Sequence, residues 1–162
     1  MLKNVLHPDH VKARFTAQSK KCLFDTISNL AINPYCGLNP TMIMDGLLGR
    51  ERIGSTYLDK GIAIPHARFA LLQKPIALCL HLKKPLDYDD TENHPVDLCL
   101  ALLLPNDDSN QYLKLLSHCI RCFKNSAHLS QIRAATTDEA LYRCLIEENA
   151  LQLHDQAVSP TL

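Results

Sequence analysis

The spacing of apolar and polar residues predicts two helices in the first third of the 162-residue chain. Ser19 is a candidate N-cap for the first, because its hydroxyl can accept a hydrogen bond from a backbone N–H in the first turn. The apolar residues that share one face of this predicted helix are Leu23, Ile27, Leu30 and Ala31. A second helix is predicted to begin after Asn39, with Pro40 in its first position, where the missing N–H costs no hydrogen bond.

The middle of the chain carries apolar runs that predict β-strands. The run from Pro75 to Leu82 has β-strand character, and the run from Val96 to Leu104 is almost continuously apolar, which indicates a strand covered on both faces. The segment between them, 83–95, is rich in charged and chain-breaking residues and is predicted to be a surface loop. A further loop is predicted over 52–61, followed by the short apolar run 62–64.

The last third of the chain is predicted to be helical. The segment 109–123 places apolar residues at three- to four-residue intervals, and Thr136 with Glu139 forms a candidate capping box for a final helix. The residues predicted to face the core are Leu113, Leu116, Cys119, Ile120 and Phe123, followed by Leu141, Leu145 and Ile146. Helices before and after a group of strands predict one α/β domain over residues 1–150, with a sheet covered by helices, and a frayed tail over 151–162.

Composition and charge narrow the function classes. The chain is 46% hydrophobic and 21% charged, as an ordinary globular domain is, and its 17 basic residues balance its 17 acidic residues. No net field therefore favours nucleic acid or an anionic membrane as a partner. The N-terminus lacks the apolar core of a signal peptide, and no apolar run approaches the roughly 18 residues of a membrane span. We expect a cytoplasmic protein without membrane insertion.

The seven cysteines do not predict a disulfide framework, because their number is odd and no secretory signal is present. Cys119 and Cys122, beside His118, share a helical face and have a spacing that could hold a metal ion. A zinc site needs about four ligands, and the sequence offers no second pair with such spacing. Core packing is therefore the preferred interpretation, and we predict neither a metal nor a cofactor.

Among the eight histidines, His66 has a distinctive setting. His81 is predicted to face solvent from a strand and His128 to lie in a polar helical patch, whereas His66 directly follows a short apolar run and Pro65. Because proline lacks the N–H that strand pairing uses, the imidazole is predicted to lie at a strand's end, where α/β folds place many sites. A neutral imidazole is also a competent nucleophile near pH 7.

The sequence around His66 contains groups suited to a phosphoryl group. They are the guanidiniums of Arg50, Arg52 and Arg68, the hydroxyls of Ser55 and Thr56, and the backbone at Gly54 and Gly61. Guanidinium, hydroxyl and backbone N–H groups are the ones that bind the oxygens of a transferring phosphoryl group. The sequence has no GxxxxGK[ST] loop and no evident acidic magnesium cluster, so the predicted donor is another protein rather than a nucleotide.

The segment 47–68, LLGRERIGSTYLDKGIAIPHAR, resembles the enzyme IIA domains of the mannitol/fructose type in the bacterial phosphotransferase system, and most of all their nitrogen-related branch. The resemblance extends to the segments 19–31, 94–105 and 134–145. It implies a single α/β domain whose mixed β-sheet is flanked by helices on both faces. It also implies phosphorylation of His66 at Nε2 by a small histidine-containing phosphocarrier protein.

The resemblance implies further roles in the site. Arg50 matches the arginine that holds the phosphoryl group, and Thr56, with Ser55, belongs to the loop that approaches the same group. Tyr112 stands where the family usually has a second histidine, and His118, about 240° farther round a helix, is a poor substitute. Two interpretations of Tyr112 remain open: its hydroxyl reaches the phosphoryl group, or the side chain serves packing alone.

The resemblance implies a phosphocarrier rather than an enzyme that turns over substrate. We expect a regulator that accepts its phosphoryl group from the phosphocarrier protein and binds targets, such as a sensor kinase or a potassium transporter, according to its phosphorylation state. Two alternatives remain open. One is a sugar-transport enzyme IIA that relays the group from His66 to a cysteine of an enzyme IIB domain, and the other is a binding module that has lost the relay.

Overall fold

The computed structural model describes residues 1–34, 36–89 and 93–147. Within these residues the strands are β1 (Leu6–Phe15), β2 (Tyr57–Asp59), β3 (Ile62–Ala63), β4 (His66–Phe69), β5 (Ile76–Asp87) and β6 (Pro95–Pro105). The α-helices are α1 (Lys20–Leu30), α2 (Pro40–Ile53), α3 (Gln111–Lys124), α4 (Ser126–Ala134) and α5 (Asp138–Ile146), and a 3₁₀ turn spans Leu2–Asn4. The predicted domain boundary at residue 150 and the predicted frayed tail, 151–162, lie outside the described residues.

The strands form one mixed sheet in the order β1-β5-β6-β3-β2, with β4 also paired to β6. β1 is parallel to β5, and β3 and β4 are parallel to β6. β5 is antiparallel to β6, and β2 is antiparallel to β3. The long strands β5 and β6 therefore form the centre of the sheet, and the predicted mixed α/β fold is confirmed.

Helices cover both faces of this sheet. Alternate residues of β6 point to opposite sides, as the pleat requires, and all of them are buried from Leu98 to Leu104. The α1 and α2 residues buried against the first face are Leu23, Phe24, Ile27, Ile43 and Leu47. The residues of α3, α4 and α5 buried against the second face include Leu115, Cys119, Phe123, Ile132 and Leu141. A central strand enclosed in this way has no polar face, which explains its continuous apolar sequence.

The predicted caps of the first two helices are confirmed. The Ser19 hydroxyl accepts a hydrogen bond from the backbone N–H of Cys22, and the Asn39 side chain accepts one from Met42, with Pro40 at the helix start. The cap of the last helix is one residue later than predicted. Thr137, not Thr136, accepts a hydrogen bond from a backbone N–H three residues ahead, at 3.1 Å, because the helix begins at Asp138.

The sequence pattern missed the edge strands of the sheet. β1 contains Pro8, and its pairing with β5 shifts register twice, so its burial does not alternate with a period of two residues. β2 lies in the predicted loop 52–61 and joins β3 through Lys60 and Gly61, which both have positive φ. Two positive φ values suit a two-residue hairpin turn, but lysine is not the residue that usually signals one.

The prediction of a loop between the two central strands was also partly wrong. β5 continues to Asp87, so the first five residues of the segment 83–95 belong to a strand. The pairing of β5 with β6 shifts register between His81 and Leu86, and this irregularity accommodates Pro85 within the strand. A local sequence pattern shows the breaker but not the neighbouring strand that compensates for it.

Three predicted exposures were wrong. Leu113, predicted to face the core, has 54% of its surface exposed, and the buried face of α3 instead includes Tyr112 and Leu115. Steps of three or four residues back from Cys119 reach either set, so the helical period did not distinguish them. His81 and His128 are buried rather than solvent-facing, since β5 is a central strand and α4 packs on the second face of the sheet.

None of the helices in the described part of the chain combines the length and the apolar composition needed to cross a bilayer. Cys119 is fully buried in the core, and Cys122 is nearly so, with its Sγ 3.5 Å from Nε2 of His118. Core packing therefore accounts for the position of the cysteine pair.

The close packing of α2 on β4 depends on Gly46. A Cβ atom at this position would lie 2.5 Å from Cε1 of the Phe69 ring, which is itself buried. We therefore expect Gly46→Ala to lower the free energy of unfolding by about 1–3 kcal/mol, measured by urea denaturation. Gly49→Ala is the matched control, because it lies in the same helix and its Cβ would meet nothing within 4 Å. That change is expected to stabilise the helix by up to about 1 kcal/mol, and equal effects of the two variants would contradict the packing argument.

Candidate active site

A cavity of about 390 Å³ lies between the end of α2, the start of β4 and the start of α3. Its polar lining consists of Arg50, His66, Arg68 and Tyr112. Its apolar lining includes Ile53, Leu104, Leu113 and Leu116. The structure thus brings Tyr112, from a segment far along the chain, together with Arg50, His66 and Arg68, and all four were singled out from the sequence.

An interruption in strand pairing places His66 in this cavity. β3 and β4 pair with β6 in one register, Ile62 opposite Leu98 and His66 opposite Leu102, so they form a single strand broken at Ile64 and Pro65. The Pro65 carbonyl still accepts a hydrogen bond from the N–H of Leu102, at 2.9 Å. His66 therefore begins β4 rather than following the end of a strand, because proline withholds only its N–H and pairing resumes directly after it.

A backbone hydrogen bond fixes the tautomer of His66. Its Nδ1 lies 2.8 Å from the carbonyl oxygen of Ile64, and since a carbonyl can only accept, Nδ1 carries the proton. Nε2 is then left with its lone pair in the neutral ring. The pKa of His66 lies below its ordinary value of 6.5, mainly because the ring is buried. The hydrogen bond to Ile64 acts in the opposite direction, and the positive charge of Arg50 acts in the same direction as burial. The side chain is half-buried and neutral at pH 7, which is the nucleophilic form.

Two guanidinium groups accompany the imidazole. Arg50 lies in the last turn of α2, where its Nη1 donates to the Gly54 carbonyl at 2.9 Å. Arg68 lies two residues after His66, on the same face of β4, and its Nη1 donates to the Asp107 carbonyl at 3.1 Å. Both bonds leave other N–H groups of each guanidinium available, because arginine has five such donors. The cavity therefore offers two fixed positive charges to an anionic group bound at Nε2.

Ser55 and Thr56 do not line the cavity, although both were predicted to hold the phosphoryl group. The Ser55 hydroxyl donates to Asp89 Oδ2 at 2.7 Å, and the Thr56 hydroxyl donates to Glu51 Oε2 at 2.6 Å. The Thr56 backbone N–H donates to the same Glu51 carboxylate at 3.0 Å. Their predicted role in phosphate binding stays a prediction, and in this structure the two hydroxyls serve to hold the loop after α2.

The carboxylates that hold this loop belong to a polar cluster that the sequence did not indicate. Lys20 Nζ lies 3.2 Å from Glu51 and 3.1 Å from Asp89, and 4.2 Å above the Tyr88 ring. Burial opposes ionisation of Asp89, but hydrogen bonds from His94, Ser55 and Lys20 hold its pKa below 3.8. The cluster joins α1, α2 and the end of β5, and so fixes the segment that directly follows Arg50.

Tyr112 occupies the first turn of α3, with only 5% of its surface exposed. Burial and the negative charge of the neighbouring Asp107 carboxylate raise the pKa of the Tyr112 phenol. The ring belongs to the core cluster on the second face of the sheet, while the side chain also lines the cavity. Both interpretations of Tyr112 therefore have a structural basis.

The Tyr112 hydroxyl is expected to take part in phosphoryl transfer. A phosphoryl group on His66 would offer the hydroxyl an anionic acceptor, and removing a hydrogen bond to a charged group weakens binding by about 1.5–3 kcal/mol. We expect Tyr112→Phe to slow phosphorylation or shorten the lifetime of the phosphorylated form about tenfold, with less than about 1 kcal/mol change in unfolding free energy. Tyr112→His, the comparison variant, should preserve or raise the rate. Equal kinetics and equal lifetimes for wild type and Tyr112→Phe would leave packing as its whole role.

Comparison with known proteins identifies the class to which this fold and cavity belong. A family model for the EIIA 2 domain of the phosphoenolpyruvate-dependent sugar phosphotransferase system matches residues 4–148, and the chain belongs to this family. Among curated relatives, it is 34% identical over 146 residues to the nitrogen regulatory protein of Pseudomonas aeruginosa, covering 90% of this chain and 95% of that protein. It is 33% identical over 147 residues to the nitrogen regulatory protein of Escherichia coli, covering 90% of each.

Solved structures agree with this assignment. The crystal structure of the nitrogen regulatory protein IIA-Ntr from Neisseria meningitidis superposes with a TM-score of 0.82 at 26% identity, covering 89% of this chain and 98% of that chain. Mannitol IIA from Escherichia coli shares the fold, with a TM-score of 0.70 at 14% identity, covering 86% and 97% of the two chains. The predicted resemblance to the phosphotransferase system IIA family, and to its nitrogen regulatory members, is confirmed.

Proposed function

We propose that this protein accepts a phosphoryl group on Nε2 of His66 from a histidine-containing phosphocarrier protein and binds regulatory targets according to its phosphorylation state. The observation that carries the proposal is the hydrogen bond from Nδ1 of His66 to the Ile64 carbonyl, which leaves Nε2 as the nucleophile. The guanidiniums of Arg50 and Arg68 line the same cavity. The similarity to nitrogen regulatory proteins supports the regulatory role over a transport role.

The proposed step is an in-line transfer between two imidazole rings. The Nε2 lone pair of His66 forms a new N–P bond, the donor's P–N bond breaks, and its electron pair returns to the donor ring. Each ring keeps the proton on its other nitrogen, so no proton is transferred. His66 acquires positive charge as the bond forms, and the Ile64 carbonyl stabilises that charge through Nδ1–H. Arg50 and Arg68 stabilise the phosphoryl oxygens, which carry negative charge throughout.

The proposed partners follow from the same assignment. The donor would be a small phosphocarrier with its own phosphohistidine, and the targets would be proteins such as a sensor kinase or a potassium transporter. We also propose that the protein acts in the cytoplasm. A phosphocarrier of this kind passes through a covalent intermediate but changes no metabolite by itself.

Direct phosphorylation tests the proposal. The purified protein is incubated with the phosphocarrier charged with its phosphoryl group, and intact mass is followed with time. We expect the mass of one phosphoryl group to be gained, and the bond to be labile in acid and stable in alkali, as a phosphoramidate is. Absence of any gain would contradict the proposal and favour the binding module that has lost the relay. Passage of the group onward to an enzyme IIB cysteine would favour the transport alternative.

A further inference from the structure

A groove of about 600 Å³ runs along the exposed face of α3, next to the cavity that contains His66. It is lined by Leu113, Lys114, Ser117, Ile120 and Arg121 of α3, together with Met1. We call this surface the α3 groove. Leu113 lines both the groove and the cavity, so the two are adjacent.

Exposed apolar side chains line both the groove and the cavity. Leu113 has 54% of its surface exposed, and Ile53, on the α2 side of the cavity, has 84% exposed. Leu116 and Ile120 are partly buried beside Leu113 along the same helix. Contiguous exposed apolar residues with a polar rim are typical of a surface that binds another protein.

The rim of the α3 groove is positively charged. α3 contains Lys114, Arg121 and Lys124 and no Asp or Glu, although basic and acidic residues balance over the whole chain. Lys114 and Arg121 are exposed and form no ion pair within the part of the chain that the structure describes. Arg50 and Arg68 continue the same sign of charge into the cavity.

The loop before α3 contains two acidic residues, Asp107 and Asp108. The Asp107 carboxylate there accepts hydrogen bonds from the backbone N–H and the hydroxyl of Ser109, at 2.9 and 2.7 Å. These bonds hold it at the start of the helix, where a negative charge is favourable. The charged side chains that line the groove itself, Lys114 and Arg121, are both basic.

A partner protein bound at the cavity is large enough to cover the groove as well. A specific interface buries about 800 Å² on each partner, which is far more than the mouth of one cavity. A protein that delivers a phosphoryl group to Nε2 of His66 must cover that mouth, and on the side of α3 its surface continues over Leu113 into the α3 groove. Opposite charges across such an interface raise the association rate, and like charges oppose it.

We propose that the α3 groove docks the protein that exchanges a phosphoryl group with His66, and that this partner presents an acidic surface with an apolar side chain against Leu113. The identity of the occupant rests on the proposed function, whereas its charge and apolar character follow from Lys114, Arg121 and Leu113. Lys114 and Arg121 act on encounter and affinity and contact no reacting atom.

A pair of charge reversals tests the proposal. The rate of phosphorylation of Lys114→Glu/Arg121→Glu is measured with the protein donor below saturation and, separately, with phosphoramidate, a small donor that needs no docking surface. We expect the rate constant with the protein donor, divided by the rate constant with phosphoramidate, to be about 10–100-fold lower in this variant than in wild type at low salt. The difference between variant and wild type should shrink as the salt concentration rises. The matched control is Lys83→Glu/Lys84→Glu, which makes the same change in net charge at exposed positions of β5.

The outcomes separate the docking proposal from the proposed function. A ratio equal to that of Lys83→Glu/Lys84→Glu would overturn the docking proposal. Equal slowing with both donors would also overturn it, because the effect would then be on His66 itself. Failure of the wild-type protein to be phosphorylated by either donor would instead overturn the proposed function. Leu113→Ser provides a second variant without a charge change, and it too should lower the ratio.

Discussion

Replacing His66 with alanine is expected to abolish phosphoryl uptake from the phosphocarrier while leaving the protein folded. The imidazole is half-buried, and its hydrogen bond is to the backbone of Ile64, so its loss removes the nucleophile without opening the core. Intact mass after incubation with the charged carrier is the measurement, and urea denaturation verifies the fold. No mass gain is expected at any time point.

The control for His66→Ala is His7→Ala, which removes a histidine whose side chain is 64% exposed and which lies outside the cavity. It should be phosphorylated at the wild-type rate. His66→Gln adds a second check, because the amide is similar in size but cannot form a stable phosphoramidate of this kind. A gain of one phosphoryl group by folded His66→Ala would show that another residue carries it.

Arg50→Ala is expected to slow phosphorylation of His66 by roughly 10²–10³-fold, which corresponds to about 2–4 kcal/mol of transition-state stabilisation. The guanidinium is held by its bond to the Gly54 carbonyl. It lines the same cavity as His66, whose Nε2 is the attacking atom. It is therefore placed before the phosphoryl group arrives, which is the condition under which such a donor is most effective. Single-turnover kinetics with the charged carrier measure the effect.

Arg52→Ala is the matched control for Arg50→Ala. Arg52 lies in the same last turn of α2, where a positive charge stabilises the helix end, but it is exposed and does not line the cavity. It should change stability by less than about 1 kcal/mol and the transfer rate hardly at all. A phosphorylation rate within twofold of wild type for Arg50→Ala would mean that Arg50, like Arg52, only stabilises the end of α2 and takes no part in transfer.

Much of the fold could be predicted from local pattern, and the edge strands were missed for one physical reason. α1 and α2 have caps within their own sequence, and β6 is enclosed on both faces, so each carries its own signal. β1 and β2 are edge strands whose existence depends on pairing with β5 and β3. The register shifts in β1 and the left-handed lysine in the turn after β2 hide these strands from a search for local patterns. The strands still form, because their partner strands are present.

The candidate site also contains residues that the local pattern could predict and residues that it could not. His66 and Arg50 could be predicted because both lie in one short segment with a specific pattern. The cluster of Lys20, Glu51 and Asp89 could not, since its hydrogen bonds join residues 31 and 69 positions apart. The hydrogen bonds of the Ser55 and Thr56 hydroxyls to Asp89 and Glu51 could not be predicted either, because the local pattern does not show which acceptor a hydroxyl takes.

The single register shared by β3 and β4 has a consequence for how the two states of the protein would differ. The backbone on both sides of His66 is anchored to β6, so the ring has little freedom beyond its own side-chain rotation. Phosphorylation of His66 would add one net negative charge next to two guanidiniums, because the transferred group brings that charge and no proton leaves the ring, on a chain whose formal net charge is +0. The message carried to a target would then be a change of charge at a fixed surface rather than a change of shape. Discrimination between the two states should accordingly weaken as ionic strength rises.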